Sequence, residues 1–220
     1  MSGKLITFEG PDLSGKSTQL RILAGYLRER GFDVLETREP GGTELGGAIR
    51  DWLLSPRRDL VVAAEAFLYL ADRAQHVARV IRPALDSGRM VLCDRFSDST
   101  EVYQGWAGGL ATDFLRRANL VATGGLRPHL TLWFDLGDTS GELRREAGGP
   151  GPDRMELRQL QPSFRQLVTA GYQALAEAEP NRFWRVDARP SPQVVHEAVV
   201  TAVRSMLARE ARRDKGEVGP

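Results

Sequence analysis

The chain has few of the residues that form disulfides and zinc sites. Its 220 residues include one cysteine, Cys93, and three scattered histidines, His76, His129 and His196. A single cysteine cannot form a disulfide within the chain, and the histidines lack the close spacing of zinc ligands. These absences favour a cytoplasmic enzyme or binding protein with few metal ligands.

The chain also lacks a charge excess and long hydrophobic runs. Thirty basic and 29 acidic residues leave a formal net charge of +1, too small to hold a polymeric nucleic acid by counterion release. No window of about 18 uncharged apolar residues occurs, and residues 1–10 have no basic stretch followed by an apolar run. We therefore expect neither a nucleic-acid polymer nor a membrane among the partners.

Lysine is rare in this sequence. Only three of the 30 basic residues are lysines, at Lys4, Lys16 and Lys215, and the other 27 are arginines. Lys16 is the only lysine away from the termini. A compact ammonium group differs from a guanidinium in shape and hydration, so Lys16 is a candidate for a role that arginine does not serve.

Short apolar runs alternate with helical patterns along the chain. The runs predict five buried strands, at residues 5–8, 32–36, 89–93, 130–134 and 182–186. Helical periodicity predicts helices at residues 15–30, 43–54, 60–86 with a kink at Pro83, 112–122, 139–146, 153–179 and 193–209. This alternation predicts an α/β fold of three layers, in which helices flank both faces of a five-stranded, mostly parallel sheet. We expect one domain over residues 1–209 and a flexible tail over 210–220.

A phosphate-binding motif lies between the first predicted strand and the first helix. Residues 10–17 match the pattern G-x-x-x-x-G-K-[ST], whose glycines allow backbone N–H groups to surround a phosphate. Lys16 would neutralise the β- and γ-phosphates of ATP, and the Ser17 hydroxyl would ligate Mg²⁺. The predicted ATP-binding residues are Gly10, Pro11, Asp12, Leu13, Ser14, Gly15, Lys16, Ser17 and Thr18.

The residues that end the third strand favour phosphoryl transfer. Asp94 can reach the Mg²⁺ shell opposite the phosphate loop, so Ser17 and Asp94 are the predicted metal ligands. Arg95 offers a bidentate grip on a second phosphate at the point where a hydrolase would place an acidic base. The Asn-Lys-x-Asp signature of GTP switches is absent from the sequence, which argues against that class.

Three further segments, taken with the phosphate loop, resemble one family. They read Thr-Arg-Glu-Pro-Gly-Gly-Thr at residues 37–43, Ala-Asp-Arg-Ala-Gln-His at 71–76, and Asp-Arg-Phe-Ser-Asp-Ser-Thr-Glu-Val-Tyr-Gln-Gly at 94–105. In these segments, and over about residues 5–188, the chain resembles bacterial thymidylate kinases. The resemblance implies a P-loop kinase fold, Mg²⁺-dependent transfer of the γ-phosphoryl group of ATP to dTMP, and a homodimer.

The resemblance also implies contacts to the acceptor nucleotide. Tyr69 would stack on thymine, although core packing is the alternative role for this side chain. Arg73 would donate to thymine O4, Tyr103 would leave no room for a 2′-hydroxyl, and Arg50 and Arg95 would clamp the phosphate. The implied substrate-binding set is Arg38, Glu39, Arg50, Tyr69, Arg73, Arg95, Ser99, Thr100, Tyr103 and Gln104.

A lid is implied at about residues 143–154. Leu13 stands where the eukaryotic type has an arginine in the phosphate loop, so an arginine of the lid would have to reach the transferring group. Arg144, Arg145 and Arg154 are the candidates, and each could instead be a solvated helix residue. The implied catalytic residues are Asp12, Lys16, Arg95, Arg144 and Arg145.

Two other functions stay open on the sequence alone. The same scaffold could phosphorylate another small nucleotide or nucleoside. The protein could also bind ATP without turnover, as a nucleotide-gated interaction module. A second phosphate clamp argues against this last class, because a switch has no use for an acceptor site.

Overall fold

The computed structural model describes residues 3–137 and 153–214. The strands are β1 (Lys4–Glu9), β2 (Val34–Arg38), β3 (Met90–Asp94), β4 (Leu130–Asp135) and β5 (Phe183–Asp187). They form one sheet in the order β2-β3-β1-β4-β5, and every pairing is parallel. The prediction of a parallel five-stranded α/β sheet is therefore confirmed, with strand ends displaced by no more than two residues.

Nine α-helices lie within the described residues. They are α1 (Lys16–Arg28), α2 (Glu44–Leu54), α3 (Val62–His76), α4 (Arg82–Asp86), α5 (Ser97–Thr100), α6 (Thr112–Thr123), α7 (Arg154–Gln159), α8 (Pro162–Ala178) and α9 (Pro192–Asp214). Two π-helical segments, Val77–Ile81 and Glu101–Trp106, continue α3 and α5. The predicted helix at residues 139–146 lies outside the described residues.

Prolines divide two of the predicted helices. The helix predicted at residues 60–86 becomes α3, the π-helical segment and α4, with Pro83 in the first turn of α4. A wider π turn before Pro83 relieves the clash that the ring would make with the preceding turn. The helix predicted at residues 153–179 ends at Gln159 and restarts at Pro162, a position where proline needs no N–H donor.

Helix α9 continues to Asp214, beyond Arg209, after which the sequence predicts a flexible tail. The Lys4 ammonium donates to the Glu210 carboxylate at 2.6 Å, and Arg209 donates to the Asn181 carbonyl at 3.0 Å. These contacts are polar and long-range, so an apolar helical pattern could not indicate them. Residues 215–220 lie outside the described residues.

Helices cover both faces of the sheet. On one face, Ile6 and Phe8 of β1 pack with Leu23 of α1 and Val199 of α9. On the other face, Leu5 packs with residues of the π-helical segment Val77–Ile81 and of α4. Successive side chains of a strand point to opposite faces, so both sets of strand residues must be apolar.

The strand order determines where the loops meet. Strand β3 lies between β1 and β2, and all three run in the same direction. The loops that follow their carboxyl ends therefore lie side by side at one edge of the sheet. Ligands of open parallel sheets bind at such an edge.

Candidate active site

A cleft of about 920 Å³ opens at the carboxyl ends of β1, β2 and β3. Its walls come from the phosphate loop, the loop after β2, helix α3, the segment after β3, and α7. The predicted site residues that line it are Asp12, Leu13, Gly15, Lys16, Ser17, Thr18, Arg38, Glu39, Arg50, Tyr69, Arg73, Asp94, Arg95, Ser99, Thr100, Tyr103 and Gln104. The cleft therefore brings the predicted ATP side and the predicted acceptor side together.

The remaining predicted residues fall into two groups. Gly10, Pro11 and Ser14 belong to the phosphate loop but are not among the residues that line the cleft. Arg144 and Arg145, with residues 143–152 of the predicted lid, lie outside the described residues.

The phosphate loop folds back on itself through residues with positive φ. Gly10, Leu13 and Gly15 have φ angles of 129°, 63° and 87°. A Cβ atom on Gly10 would lie 2.4 Å from the Phe134 carbonyl oxygen, so glycine is required there. Gly15 is the N-cap of α1, which directs the positive end of the helix dipole into the loop. This arrangement is a binding site for an anion such as phosphate.

Lys16 lies buried in the cleft. Its ammonium donates to the carbonyl of Pro11 at 2.7 Å. Burial, and then the Arg95 cation, lower the pKa of Lys16 to about 8, although Asp12 and Asp94 act in the opposite direction. The site therefore holds a cation at an energetic cost, which an anionic ligand would reduce.

The Asp12–Arg95 ion pair connects the phosphate loop to the segment after β3. Arg95 Nη2 donates to Asp12 Oδ1 at 2.5 Å, and Gln159 Nε2 of α7 donates to the other carboxylate oxygen. Burial alone would raise the pKa of Asp12, but Arg95 and Lys16 lower it to about 2. Asp12 is consequently ionised at neutral pH.

Glu9 supports the turn that contains Arg95. The φ angle of Arg95 is 68°, which is unusual for a residue with a side chain. The buried Glu9 carboxylate accepts from the Phe96 amide at 2.8 Å, the Ser99 hydroxyl at 2.5 Å and the Tyr172 hydroxyl at 2.9 Å. These bonds fix the residues on the carboxyl side of Arg95 and hold its turn against β1.

The pKa of Glu9 reflects this enclosed position. Burial, and then the nearby Asp98 carboxylate, raise the pKa of Glu9 to about 7, against the effects of Ser99, Arg95 and Tyr172.

Most N–H groups of the Arg73 guanidinium donate to groups within the protein. Its Nε donates to Glu39 at 2.8 Å, Nη1 donates to Thr100 at 3.0 Å and Asn119 at 2.7 Å, and Nη2 donates to the Phe96 carbonyl at 2.9 Å. Four of its five N–H groups are therefore used. At most one N–H can reach a base in the cleft, so Arg73 can supply a single oriented donor.

Ser17 and Asp94 form an oxygen-donor pair suited to magnesium. The Ser17 hydroxyl donates to Asp94 Oδ2 at 2.6 Å, beside the phosphate loop. Hydroxyl and carboxylate oxygens are ligands that Mg²⁺ prefers. The described residues contain no cluster of three or more His, Cys, Asp or Glu side chains that could hold a metal. A magnesium ion bound here would complete its shell with phosphate oxygens and water.

Several residues of the site escaped prediction from the sequence. Glu9 ends β1 directly before Gly10, and this position at the carboxyl end of a strand could have identified it as a site residue. Gln159 and Tyr172 lie 147 residues from Asp12 and 163 residues from Glu9, so nothing local in the sequence indicates these contacts. Glu65 and Asn119 lie on the buried faces of α3 and α6 and resemble ordinary helix residues.

Known proteins are similar to this chain over most of its length. Residues 8–199 match the sequence profile of the family described as thymidylate kinase. The chain is 49% identical over 203 residues to the thymidylate kinase of Gloeobacter violaceus, covering 92% of this chain and 95% of that protein. The chain belongs to the thymidylate kinase family. It is also 48% identical over 214 residues to the thymidylate kinase of Desulfovibrio desulfuricans, covering 94% and 98% of the two chains.

A solved structure supports the same family. The crystal structure of thymidylate kinase from Ehrlichia chaffeensis matches with a TM-score of 0.75 at 29% identity, covering 93% of this chain and 99% of that one. The predictions of thymidylate kinase resemblance, of the P-loop kinase fold and of a nucleoside monophosphate kinase are confirmed.

The lowered pKa of Lys16 predicts how stability depends on pH. Above about pH 8 the folded protein loses the Lys16 proton, whereas the unfolded chain keeps it up to the ordinary value of 10.5. The unfolded state then binds more protons, so folding stability rises with pH in this window. Relative to Lys16→Met, the wild-type free energy of unfolding should rise by about 2 kcal/mol between about pH 7.5 and about pH 9.5.

Urea denaturation of both proteins at the two pH values measures this change. Lys16→Arg is the matched control, because its guanidinium stays protonated and its difference from Lys16→Met should not vary with pH. A wild-type difference that is equally constant would contradict the lowered pKa.

Proposed function

We propose that this protein transfers the γ-phosphoryl group of ATP to the 5′-phosphate of dTMP, forming dTDP and ADP. The observation that carries the proposal is the pair of cationic sites in one cleft. Lys16 lies in the phosphate loop, and Arg95 directly follows β3. Arg95 is tied to the phosphate loop through Asp12 at 2.5 Å. A protein that moves a phosphoryl group between two phosphates needs two such sites.

The donor site would hold the phosphates of ATP. Backbone N–H groups of residues 10–17 would surround the β-phosphate, and Lys16 would exchange its Pro11 carbonyl contact for phosphate oxygens. Ser17 and Asp94 would hold Mg²⁺ beside the loop. When bound, magnesium would offset the negative charge on the β- and γ-phosphate oxygens.

The acceptor site would orient dTMP on the opposite side. Tyr69 lines the cleft, which favours stacking on the base over the core-packing role. The remaining N–H of Arg73 would donate to thymine O4. Arg95 and Arg50 would bind the 5′-phosphate. Arg50 also donates to the Pro40 carbonyl at 3.0 Å, which places it beside the loop of Arg38 and Glu39.

The chemical step requires alignment more than activation. The acceptor phosphate is itself the nucleophile at neutral pH, so no covalent enzyme intermediate is needed. Two polyanions repel each other, and Lys16 and Arg95 would neutralise them while fixing the reacting atoms in line. Because Asp12 is ionised and bound to Arg95, the guanidinium would be oriented before dTMP arrives.

Lid arginines would complete the transfer site. Arg154 donates through Nε to the Leu53 carbonyl at 3.0 Å and through Nη1 to Glu65, and this anchoring supports Arg144 and Arg145 for the catalytic role. We propose that residues 1–209 form one kinase domain, with a lid at about residues 143–154 that excludes water when it closes.

Assembly and location form part of the proposal. Phe67 of α3 and Phe114 of α6 are 59% and 39% exposed, and their ring centroids lie 6.2 Å apart. Such an exposed aromatic pair supports a homodimer through these helices.

No helix within residues 3–137 and 153–214 is long and apolar enough to cross a bilayer. We propose that the protein acts in the cytoplasm on ATP and dTMP, without a nucleic-acid polymer as partner.

An acceptor panel tests the reaction. ADP release is measured with ATP and Mg²⁺ in the presence of dTMP, dUMP, ribothymidine monophosphate, thymidine, dCMP or no acceptor. We expect rapid turnover with dTMP and none without an acceptor, since the nucleophile is the acceptor phosphate. ADP release that does not depend on the acceptor would indicate an ATPase, and ATP binding without any release would indicate a binding module.

Arg95→Ala should abolish most of the activity and leave the fold intact. Removal of an arginine that contacts the reacting phosphates costs about 10³-fold or more in rate in related chemistry. The measurement is kcat with saturating ATP and dTMP, together with circular dichroism as a check on folding. Arg204→Ala on the exposed side of α9 is the control and should keep wild-type turnover. Near-normal turnover of Arg95→Ala would contradict the assigned role.

A further inference from the structure

The buried Glu65 carboxylate connects Gln104, in the acceptor part of the cleft, to α7. Glu65 is 1% exposed. Arg154 donates to its Oε1, and Arg158 donates to its two oxygens at 3.2 and 3.1 Å. The amide nitrogen of Gln104 lies 3.3 Å from Glu65 Oε2. A buried carboxylate thus contacts two arginines of α7 and one amide of the acceptor site.

This contact determines which way the Gln104 amide faces. The Glu65 carboxylate, paired with two guanidinium groups, accepts hydrogen bonds and cannot donate them. Only the NH₂ group of Gln104 can therefore face Glu65, and the carbonyl oxygen Oε1 must face away from it. Gln104 lines the cleft together with Tyr69, Arg73 and Thr100. Its carbonyl oxygen, which cannot bond to Glu65, is therefore available to accept from a base.

We propose that Glu65 is a positioning residue that makes the pocket select bases with an N3–H donor. The inference rests on the proposed function, since it concerns the base of the acceptor. Thymine and uracil present an N3–H donor and an O4 acceptor, which match the Gln104 oxygen and the free Arg73 donor. Cytosine presents an N3 acceptor and a 4-amino donor. The Gln104 oxygen would then face another acceptor, and the Arg73 N–H would face another donor.

Without Glu65 the selection should weaken. A glutamine at position 65 can donate to Gln104 Oε1 as well as accept from its amide, so the Gln104 amide could adopt either orientation. The flipped amide would present its NH₂ group to the base and would donate to cytosine N3. Glu65 therefore prevents one of two orientations of the Gln104 amide that would otherwise be similar in energy.

The test compares kcat/KM for dTMP, dUMP and dCMP in the wild type and in Glu65→Gln. We expect the dTMP/dCMP ratio to fall at least about tenfold, because a site built to hydrogen-bond a substrate group rejects analogues that lack it. The dTMP/dUMP ratio in Glu65→Gln should stay within about twofold of its wild-type value, because these two bases have the same hydrogen-bonding edge and differ by one methyl group. General damage to the fold would lower all three values together and leave both ratios unchanged.

Arg158→Gln is the matched control. It removes one cation from the cluster but keeps the bond between Glu65 and Gln104, so the dTMP/dCMP ratio should remain that of the wild type. An unchanged ratio in Glu65→Gln, or an equal fall in Arg158→Gln, would overturn the proposal. If Glu65→Gln does not fold, Glu65→Gln/Arg158→Gln is measured in its place, because it removes both charges of one ion pair.

Binding measurements separate this inference from the proposed function. Calorimetric titration of dTMP, dUMP and dCMP into each protein gives the same two ratios without turnover. A wild type that binds dTMP but does not phosphorylate it would refute the proposed function, while its binding ratios would still decide the role of Glu65.

Discussion

The ion pair between Asp12 and Arg95 joins the two halves of the cleft. It connects the loop after β1 to the turn after β3, and these strands are neighbours in the sheet. Arg95 adopts a left-handed backbone conformation that a residue with a side chain rarely takes, and Glu9 holds the residues that follow it. The relative position of the two phosphate sites is therefore set by the sheet itself. Such preorganisation reduces the entropic and reorganisation costs of bringing two polyanions together.

Burial also acts on the pKa values of the charged groups in the cleft. Lys16 and Arg95 are cations in an enclosed site, and the Asp12 and Asp94 carboxylates favour the charged form of both. Bound phosphates would supply the further negative charge that this cluster favours. The same combination of burial and charge pairing applies to Glu65, which contacts two arginines of α7 and the amide of Gln104.

Local patterns were sufficient to predict the sheet and the phosphate loop. The strands are short apolar runs because both faces of the sheet are covered, and the loop glycines meet a backbone requirement that is visible at Gly10. The sequence predicts no secondary structure for residues 97–106, because they are polar and partly π-helical and so lack the 3.6-residue period. Gln159 and Tyr172 could not be predicted, since each meets the site only after the chain has folded around the sheet. The roles of Arg144 and Arg145 stay predictions.

Direct transfer between the two nucleotides is the central claim, and tracing the γ-phosphate of ATP tests it most directly. The protein is incubated with ATP labelled in the γ-phosphate, Mg²⁺ and dTMP, and the label is then located among the nucleotides, inorganic phosphate and protein. In-line transfer predicts that the label appears in the β-phosphate of dTDP, with one labelled dTDP for each ADP. Label that accumulates in inorganic phosphate, or that is carried covalently on the protein, would contradict it.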